Sequence, residues 1–205
     1  FNVCGYFRLY FVYSKIISMK KKISILGSTG SIGKSSLQII NLDKKSFNII
    51  LLSANSNYRE ILHQINLYRP LYFVVTDFFV YNKVKRKIKN KKTKILNKFD
   101  NVPFKLKFDI TIAAIVGIAG LEPTMQFAKQ SKKLLLANKE SIICGWHILS
   151  KIIKRNKTKL IPIDSEHFSI KQLTKDYRDI DIKKIYITAS GGPFLKRPIS
   201  SFNKI

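Results

Sequence analysis

"KISILGSTGSIGKSSLQII", residues 22–40, passes from an apolar strand through a glycine-rich turn into a helix. Ile23, Ile25 and Leu26 carry the strand, and Ile32, Leu37, Ile39 and Ile40 supply the apolar positions of the helix. Between them stands Gly27-Ser28-Thr29-Gly30-Ser31-Ile32-Gly33. Glycines so placed let the backbone turn sharply and approach a pyrophosphate, which the N–H groups and positive end of the following helix then hold. The pattern is G-x-x-G-x-x-G rather than G-x-G-x-x-G, so an ordinary glycine turn stays open as the alternative.

Working outward, "FNIILLSA" (47–54) reads as a second buried strand, and "NYREILHQINLYRP" (57–70) as an amphipathic helix stopped by Pro70. "LYFVVTD" (71–77) is a third strand. "KVKRKIKNKKTKIL" (83–96) spaces Val84, Ile88 and Ile95 near helical period and predicts a surface helix and turn. "FDITIAAIVGIAGL" (108–121) is a buried strand and "PTMQFAKQ" (123–130) a helix opened by Pro123. "KKLLLANKES" (132–141) is a strand ending in polar residues, and "CGWHILSKIIKR" (144–155) a helix. "KLIPIDSEH" (159–167) and "IKKIYITASGGPF" (182–194) each begin as strands. Strands alternating with helices predict an α/β fold, a Rossmann-like, mostly parallel sheet with flanking helices.

Of the 205 residues, 45% are hydrophobic, enough for a substantial core. Lys and Arg number 38 against 12 Asp and Glu, a formal charge of +26. Such a balance suggests nucleic acid or an anionic membrane. However, the excess is mostly Lys, accompanied by much Ile and Asn and scattered along the chain, which reads as a solvated surface. The dense run from Lys83 to Lys98 has no interleaved aromatics on which bases could stack. Neither a nucleic-acid nor a membrane partner is therefore expected. Cys4 and Cys144 form no CxxC pair and no disulfide framework, which points to a reducing compartment. In "FNVCGYFRLYFVYSKIIS", Gly5 and Arg8 break the apolar run and no cleavage site follows, so residues 1–18 read as an upstream extension and Met19 as the native start.

Three polar clusters follow strands. Ser53-Ala54-Asn55-Ser56-Asn57 ends the second strand, with Arg59 just beyond and no acid for the ribose hydroxyls, which favours the 2′-phosphate of NADP over NAD. Ala137-Asn138-Lys139-Glu140-Ser141 and Asp164-Ser165-Glu166-His167 end two later strands, on the side where open parallel sheets bind ligands. Were the last strand to continue to Glu166, Asp164 and Glu166 would project from one face and could share a hard cation, Mg²⁺ or Mn²⁺. Equally, "DSEH" reads as a capping loop, with Asp164 or Ser165 as N-cap of a helix starting near Phe168.

"GSTGSIG", "AAIVGIAGL", "LLANKES", "PIDSEH" and "SGGPF", in this order, resemble the 1-deoxy-D-xylulose 5-phosphate reductoisomerase family from about Lys20 to the end of the chain. The resemblance implies an NADPH-binding Rossmann-like domain over 19–148 and the beginning of a catalytic α/β domain over 149–205. It further implies metal-dependent rearrangement of the ketose phosphate and its reduction by NADPH to 2-C-methyl-D-erythritol 4-phosphate. Cofactor contacts are then expected at Thr29, Gly30, Ser31, Ile32, Ala54, Asn55, Ser56, Asn57, Asn138 and Glu140. Metal ligands are expected at Asp164 and Glu166, and substrate contacts at Lys139, Ser165, Glu166 and Ser190, with Lys139, Asp164 and Glu166 in the catalytic set. His167 matches the family but reads as structural; His63 and His147 read as packing or surface residues, and Trp146 as core. At 55–56 many relatives resemble "AGKN" or "AGRN", whereas Asn55 and Ser56 supply neither the glycine nor the cation. The family's lid, third metal carboxylate and C-terminal helical domain would lie beyond Ile205, so the chain is expected to be part of the enzyme and inactive alone. A homodimer in a bacterial cytoplasm, or else a plastid-type organelle, is implied likewise. The rivals are a metal-free Rossmann-type oxidoreductase and a basic nucleic-acid-binding module.

Overall fold

Apolar side chains point alternately to the two faces of each strand, and this alternation builds both halves of the core. The computed structural model of the protein describes residues 20–88, 92–178, 181–186, 196–198 and 201. Among the described residues, seven parallel strands run in the order β4-β3-β2-β1-β5-β6-β7: β1 (Lys21–Leu26), β2 (Phe47–Ala54), β3 (Tyr72–Val75), β4 (Lys94–Leu96), β5 (Phe108–Ala113), β6 (Ser131–Leu136) and β7 (Lys159–Pro162). Helices α1 (Ser31–Leu42), α2 (Tyr58–Tyr68), α3 (Phe78–Lys87), α4 (Leu121–Ala128) and α5 (Lys139–Asn156) connect them. Neighbours along β2 and β3 show the alternation. Leu52, Phe73 and Val75 pack with Leu37, Ile61, Ile65 and Val84 of α1, α2 and α3. Leu51 and Val74 pack on the other face with Phe127 of α4 and Leu149 of α5. Strand order reverses at β1, which pairs with β2 on one side and β5 on the other. That reversal opens a crevice at the carboxyl ends of β1 and β5.

Polar groups inside the sheet are paired with one another. The hydroxyls of Ser24, Thr111 and Ser131 form a hydrogen-bonded row across β1, β5 and β6, and the Ser131 hydroxyl donates onward to the Phe127 carbonyl at 2.7 Å. Buried hydroxyls so satisfied avoid a desolvation penalty of about 1–3 kcal/mol each.

The chain divides into two compact units, the first running through Asp164 and the second from Ser165. Helix α5 continues unbroken past Leu149, whose buried side chain ties it to the sheet of the first unit, and β7 follows as the seventh strand. In the second unit the one long element among the described residues is α6 (Ser165–Thr174).

Four expectations need correction. Residues 94–96, read as part of a surface helix and turn, form strand β4, because Lys94 N–H bonds to Leu71 O at 2.9 Å and Ile95 packs on the core beside β3. Ile32 and Ile39 are exposed, so the buried stripe of α1 is Gly33, Leu37 and Ile40. Trp146 is 47% exposed rather than core, since α5 turns Gly145 and Leu149 inward instead. Residues 182–186 show no strand pairing among the described residues, and the rest of the strand expected over 182–194 lies outside them.

Candidate functional site

The glycine loop sits at the switch point. Gly27 leaves β1 with φ +81°, and a Cβ there would lie 2.7 Å from the carbonyl oxygen of Ala114, where β5 ends. A side chain at Gly33 would overlap the Gly27 carbonyl and approach Ser28 Cα to 2.6 Å, so α1 starts pressed against the loop. Gly30, extended, precedes α1 and contributes no side-chain cap. The first turn of α1 thus presents N–H groups for which an anion is a suitable partner. Gly30, Ser31 and Ile32 are exposed and Thr29 is half-buried, which leaves this edge open to a ligand.

Beneath the loop, Ser28 is fully buried. Its N–H bonds to Ser53 O at 2.7 Å, and its hydroxyl donates to Gln64 Oε1 at 2.6 Å. Gln64 Nε2 in turn donates to Ser28 O at 3.0 Å, and Gly27 N–H donates to Ser53 Oγ at 3.0 Å. These two polar residues of β2 and α2 fix the loop's height above the sheet. From sequence Ser53 stood only as the first residue of the polar cluster ending β2, and Gln64 was not singled out. Gln64 was open to detection, as a polar residue in the buried stripe Ile61, Gln64, Ile65 of an otherwise amphipathic helix.

At the end of β2, Ala54 is buried while Asn55, Ser56 and Asn57 are exposed. Asn57 caps α2, its side chain accepting from Glu60 N–H at 3.2 Å. The nearest acid along the chain, Glu60, pairs with Lys34 at 3.5 Å and accepts from Gln64 at 3.0 Å.

The cluster after β6 differs from the sequence reading. The strand stops at Leu136, and Lys139, Glu140 and Ser141 form the first turn of α5, not a strand end. Asn138 makes the switch: its side chain accepts from Ser141 N–H at 2.7 Å. Its amide nitrogen donates to Gly117 O at 2.7 Å and to Ile115 O. Gly120 lacks the Cβ that would collide with that same nitrogen. All three side-chain bonds are therefore structural, joining the "AAIVGIAGL" loop to α5. Glu140, in the first turn, sits where the helix dipole favours a negative charge.

The strand geometry proposed for Asp164 and Glu166 does not hold. β7 ends at Pro162 and α6 begins at Ser165, so residues 163–164 form a short loop into a helix that starts three residues earlier than Phe168. Asp164 is 9% exposed and closes the first unit; Glu166 lies in the first turn of α6, its Oε2 accepting from the Ser165 hydroxyl at 2.9 Å. Among the described residues no group of three or more His, Cys, Asp or Glu is placed to hold a metal ion. The two carboxylates are nevertheless hard oxygen donors suited to Mg²⁺ or Mn²⁺. Ser190, with the rest of "SGGPF", lies outside the described residues.

Residues 23–145 match the family model for 1-deoxy-D-xylulose 5-phosphate reductoisomerase, and residues 160–205 match the model for the C-terminal domain of the same enzyme. The chain belongs to the 1-deoxy-D-xylulose 5-phosphate reductoisomerase family. It is 45% identical over 189 residues to the reductoisomerase of Pelagibacter ubique, covering 90% of this chain and 49% of that protein. The Clostridium kluyveri reductoisomerase is 40% identical over 182 residues, 86% of this chain and 47% of that one. The Zymomonas mobilis reductoisomerase in complex with NADPH superposes with a TM-score of 0.76 at 30% identity, over 91% of this chain and 50% of that chain. A reductoisomerase in complex with NADPH, fosmidomycin and magnesium gives a TM-score of 0.75 at 31% identity, over 90% of this chain and 49% of that chain. The chain thus spans about half the length of the reductoisomerases it matches.

Proposed function

We propose that the chain supplies the cofactor domain and the opening of the catalytic domain of an NADPH- and divalent-metal-dependent enzyme. The reaction is conversion of 1-deoxy-D-xylulose 5-phosphate to 2-C-methyl-D-erythritol 4-phosphate. The observation that carries the reading is the start of α1. It has no side-chain cap, is framed by Gly27 and Gly33, and lies at the strand-order reversal beside a β2 end without an acid.

In this reading the N–H groups around Thr29, Gly30, Ser31 and Ile32 hold the pyrophosphate, and the Ala54–Asn57 segment meets the adenosine ribose. Asn138 acts through the loop it tethers, while Glu140 lines the cofactor from α5. Lys139 places a cation beside the oxygen that gains charge as the substrate reacts. Asp164 and Glu166 hold the metal, and Ser165 and Ser190 hydrogen-bond the substrate. When bound, the reduced nicotinamide supplies hydride and the divalent ion polarises the substrate oxygens. Assembly as a homodimer, in a bacterial cytoplasm, completes the proposal; the relatives named above support the bacterial setting.

The test is steady-state turnover of the full-length protein with deoxyxylulose phosphate, NADPH and Mg²⁺. Asp164→Asn is expected to lower kcat by about 100-fold or more, the scale of several kcal/mol of charge stabilisation, with NADPH affinity retained. Unaltered kcat and metal dependence in that variant would instead favour a metal-free oxidoreductase.

A further inference from the structure

The β2 end of this chain carries no cation: Asn55, Ser56 and Asn57 are all neutral, and Asn57 is engaged as the cap of α2. Lys34, on the adjoining α1, is paired with Glu60. A second source of positive charge does converge on the same edge. The Ala54 carbonyl accepts from Thr76 N–H at 3.1 Å, and Asp77 then caps α3, so α2 and α3 both spring from the carboxyl ends of neighbouring strands. Between these helices lies a groove of about 640 Å³ lined by Tyr58, Phe78, Phe79, Asn82, Lys83 and Arg86, among others. Phe78 and Phe79 are 59% and 83% exposed, leaving an aromatic wall open to solvent. Lys83 Nζ stands 4.4 Å above the centre of the Tyr58 ring, the residue that follows Asn57. That cation–π contact holds the ammonium at the start of α2 instead of leaving it to range through solvent. The carboxylate of Asp77 caps α3, accepting from Val80 N–H at 2.8 Å.

We propose that Lys83, from α3, supplies the positive charge that recognises the adenosine 2′-phosphate of NADPH, in place of a cation on the β2 end itself. The inference rests on the cofactor reading above. Arg59, the candidate that sequence proximity suggests, does not line the groove, because one residue past Tyr58 turns it about 100° around α2. The groove's chemistry matches a nucleotide end: an aromatic wall for a base and an ammonium for a phosphate dianion.

Dissociation constants of the full-length protein for NADPH and for NADH, measured by calorimetry, test the assignment. Lys83→Gln is expected to reduce the NADPH-over-NADH preference by roughly tenfold or more, the size of one charge-assisted contact, and Lys83→Arg to keep most of it. NADH has no 2′-phosphate, so its affinity reports on the intact fold. An unchanged preference in Lys83→Gln overturns the assignment, as does equal loss of both affinities. Loss of preference in Arg59→Gln with Lys83→Gln unaffected also overturns it and transfers the role to Arg59. Failure of the wild-type protein to bind either nucleotide would instead overturn the cofactor reading itself.

Discussion

Asn138 shows how one amide can organise the edge on which a cofactor is proposed to sit. Its oxygen caps α5 and its nitrogen bridges two carbonyls of the loop after β5. Truncation removes a cap worth about 1 kcal/mol and leaves two part-buried carbonyls short of a donor at about 1 kcal/mol each. Asn138→Ala should therefore destabilise the first unit by about 2–3 kcal/mol, read from the midpoint of urea unfolding. Asn138→Asp separates the two halves of the role. A carboxylate still accepts from Ser141 N–H, but it cannot donate to Ile115 or Gly117, and its charge faces their oxygens. The aspartate variant should recover little of the loss. If it unfolds at the wild-type midpoint, the tether contributes nothing and the cap alone matters.

At the level of elements, three strands are joined at their amino ends by one side chain. Asp109, on β5, accepts from Lys22 N–H of β1 at 2.8 Å and pairs with Lys132 Nζ of β6 at 2.8 Å. The Lys132 hydrogen bond first, then the Lys22 N–H, hold its carboxyl below the ordinary value of 3.8. A depressed folded-state pKa gives stability that is fully present above the unfolded value and lost as pH falls through the folded one. Asp109→Asn should thus cost about 1 kcal/mol at neutral pH, a modest figure because Lys132 is 80% exposed. The difference between variant and wild type should shrink as pH falls below the ordinary value and vanish once the carboxyl is protonated in both folded and unfolded states, which unfolding followed across pH would show; a gap that persists there would assign the effect to packing. Buried strands such as β2 and β5 were legible because short, branched apolar runs like "IILLSA" suit a sheet covered on both faces. β4 was not, since three residues within a lysine-rich stretch carry too little periodicity to stand out from a helix. The start of α5 was hidden because Ala137 and Asn138 run on from "LLL" without a break, and a cap reading of that asparagine would have moved Lys139 and Glu140 from strand to helix. The path through Asp164 was open at the sequence level for the opposite reason. Its residues suit a strand-end metal pair and a helix cap equally, and only the end of β7 at Pro162 separates them. The Lys83 contact with Tyr58 crosses 25 residues of chain between two helices, and no local pattern announces it.

For the molecule as a whole, the division at Asp164 assigns the glycine loop, the β2 end and the Asn138 tether to one compact unit. Ligand that binds only the folded state of that unit stabilises it by RT ln(1 + [L]/Kd), about 2.7 kcal/mol at a hundredfold excess over Kd. For a domain of this size each kcal/mol moves the midpoint by roughly 2–4 °C, so saturating NADPH should raise the melting temperature of the sheet-bearing unit by about 5–11 °C. Mg²⁺ without nucleotide should give a clearly smaller shift, because the glycine loop offers the ion no carboxylate and only Asp164 of the proposed metal pair belongs to the first unit. Scanning calorimetry of the chain with NADPH, with Mg²⁺ and with both distinguishes these cases. A shift with Mg²⁺ alone as large as that with NADPH would place a complete metal site within the first unit. No shift with NADPH would mean that the uncapped start of α1 is only a turn, and the assignment of that crevice to a dinucleotide would fall with it.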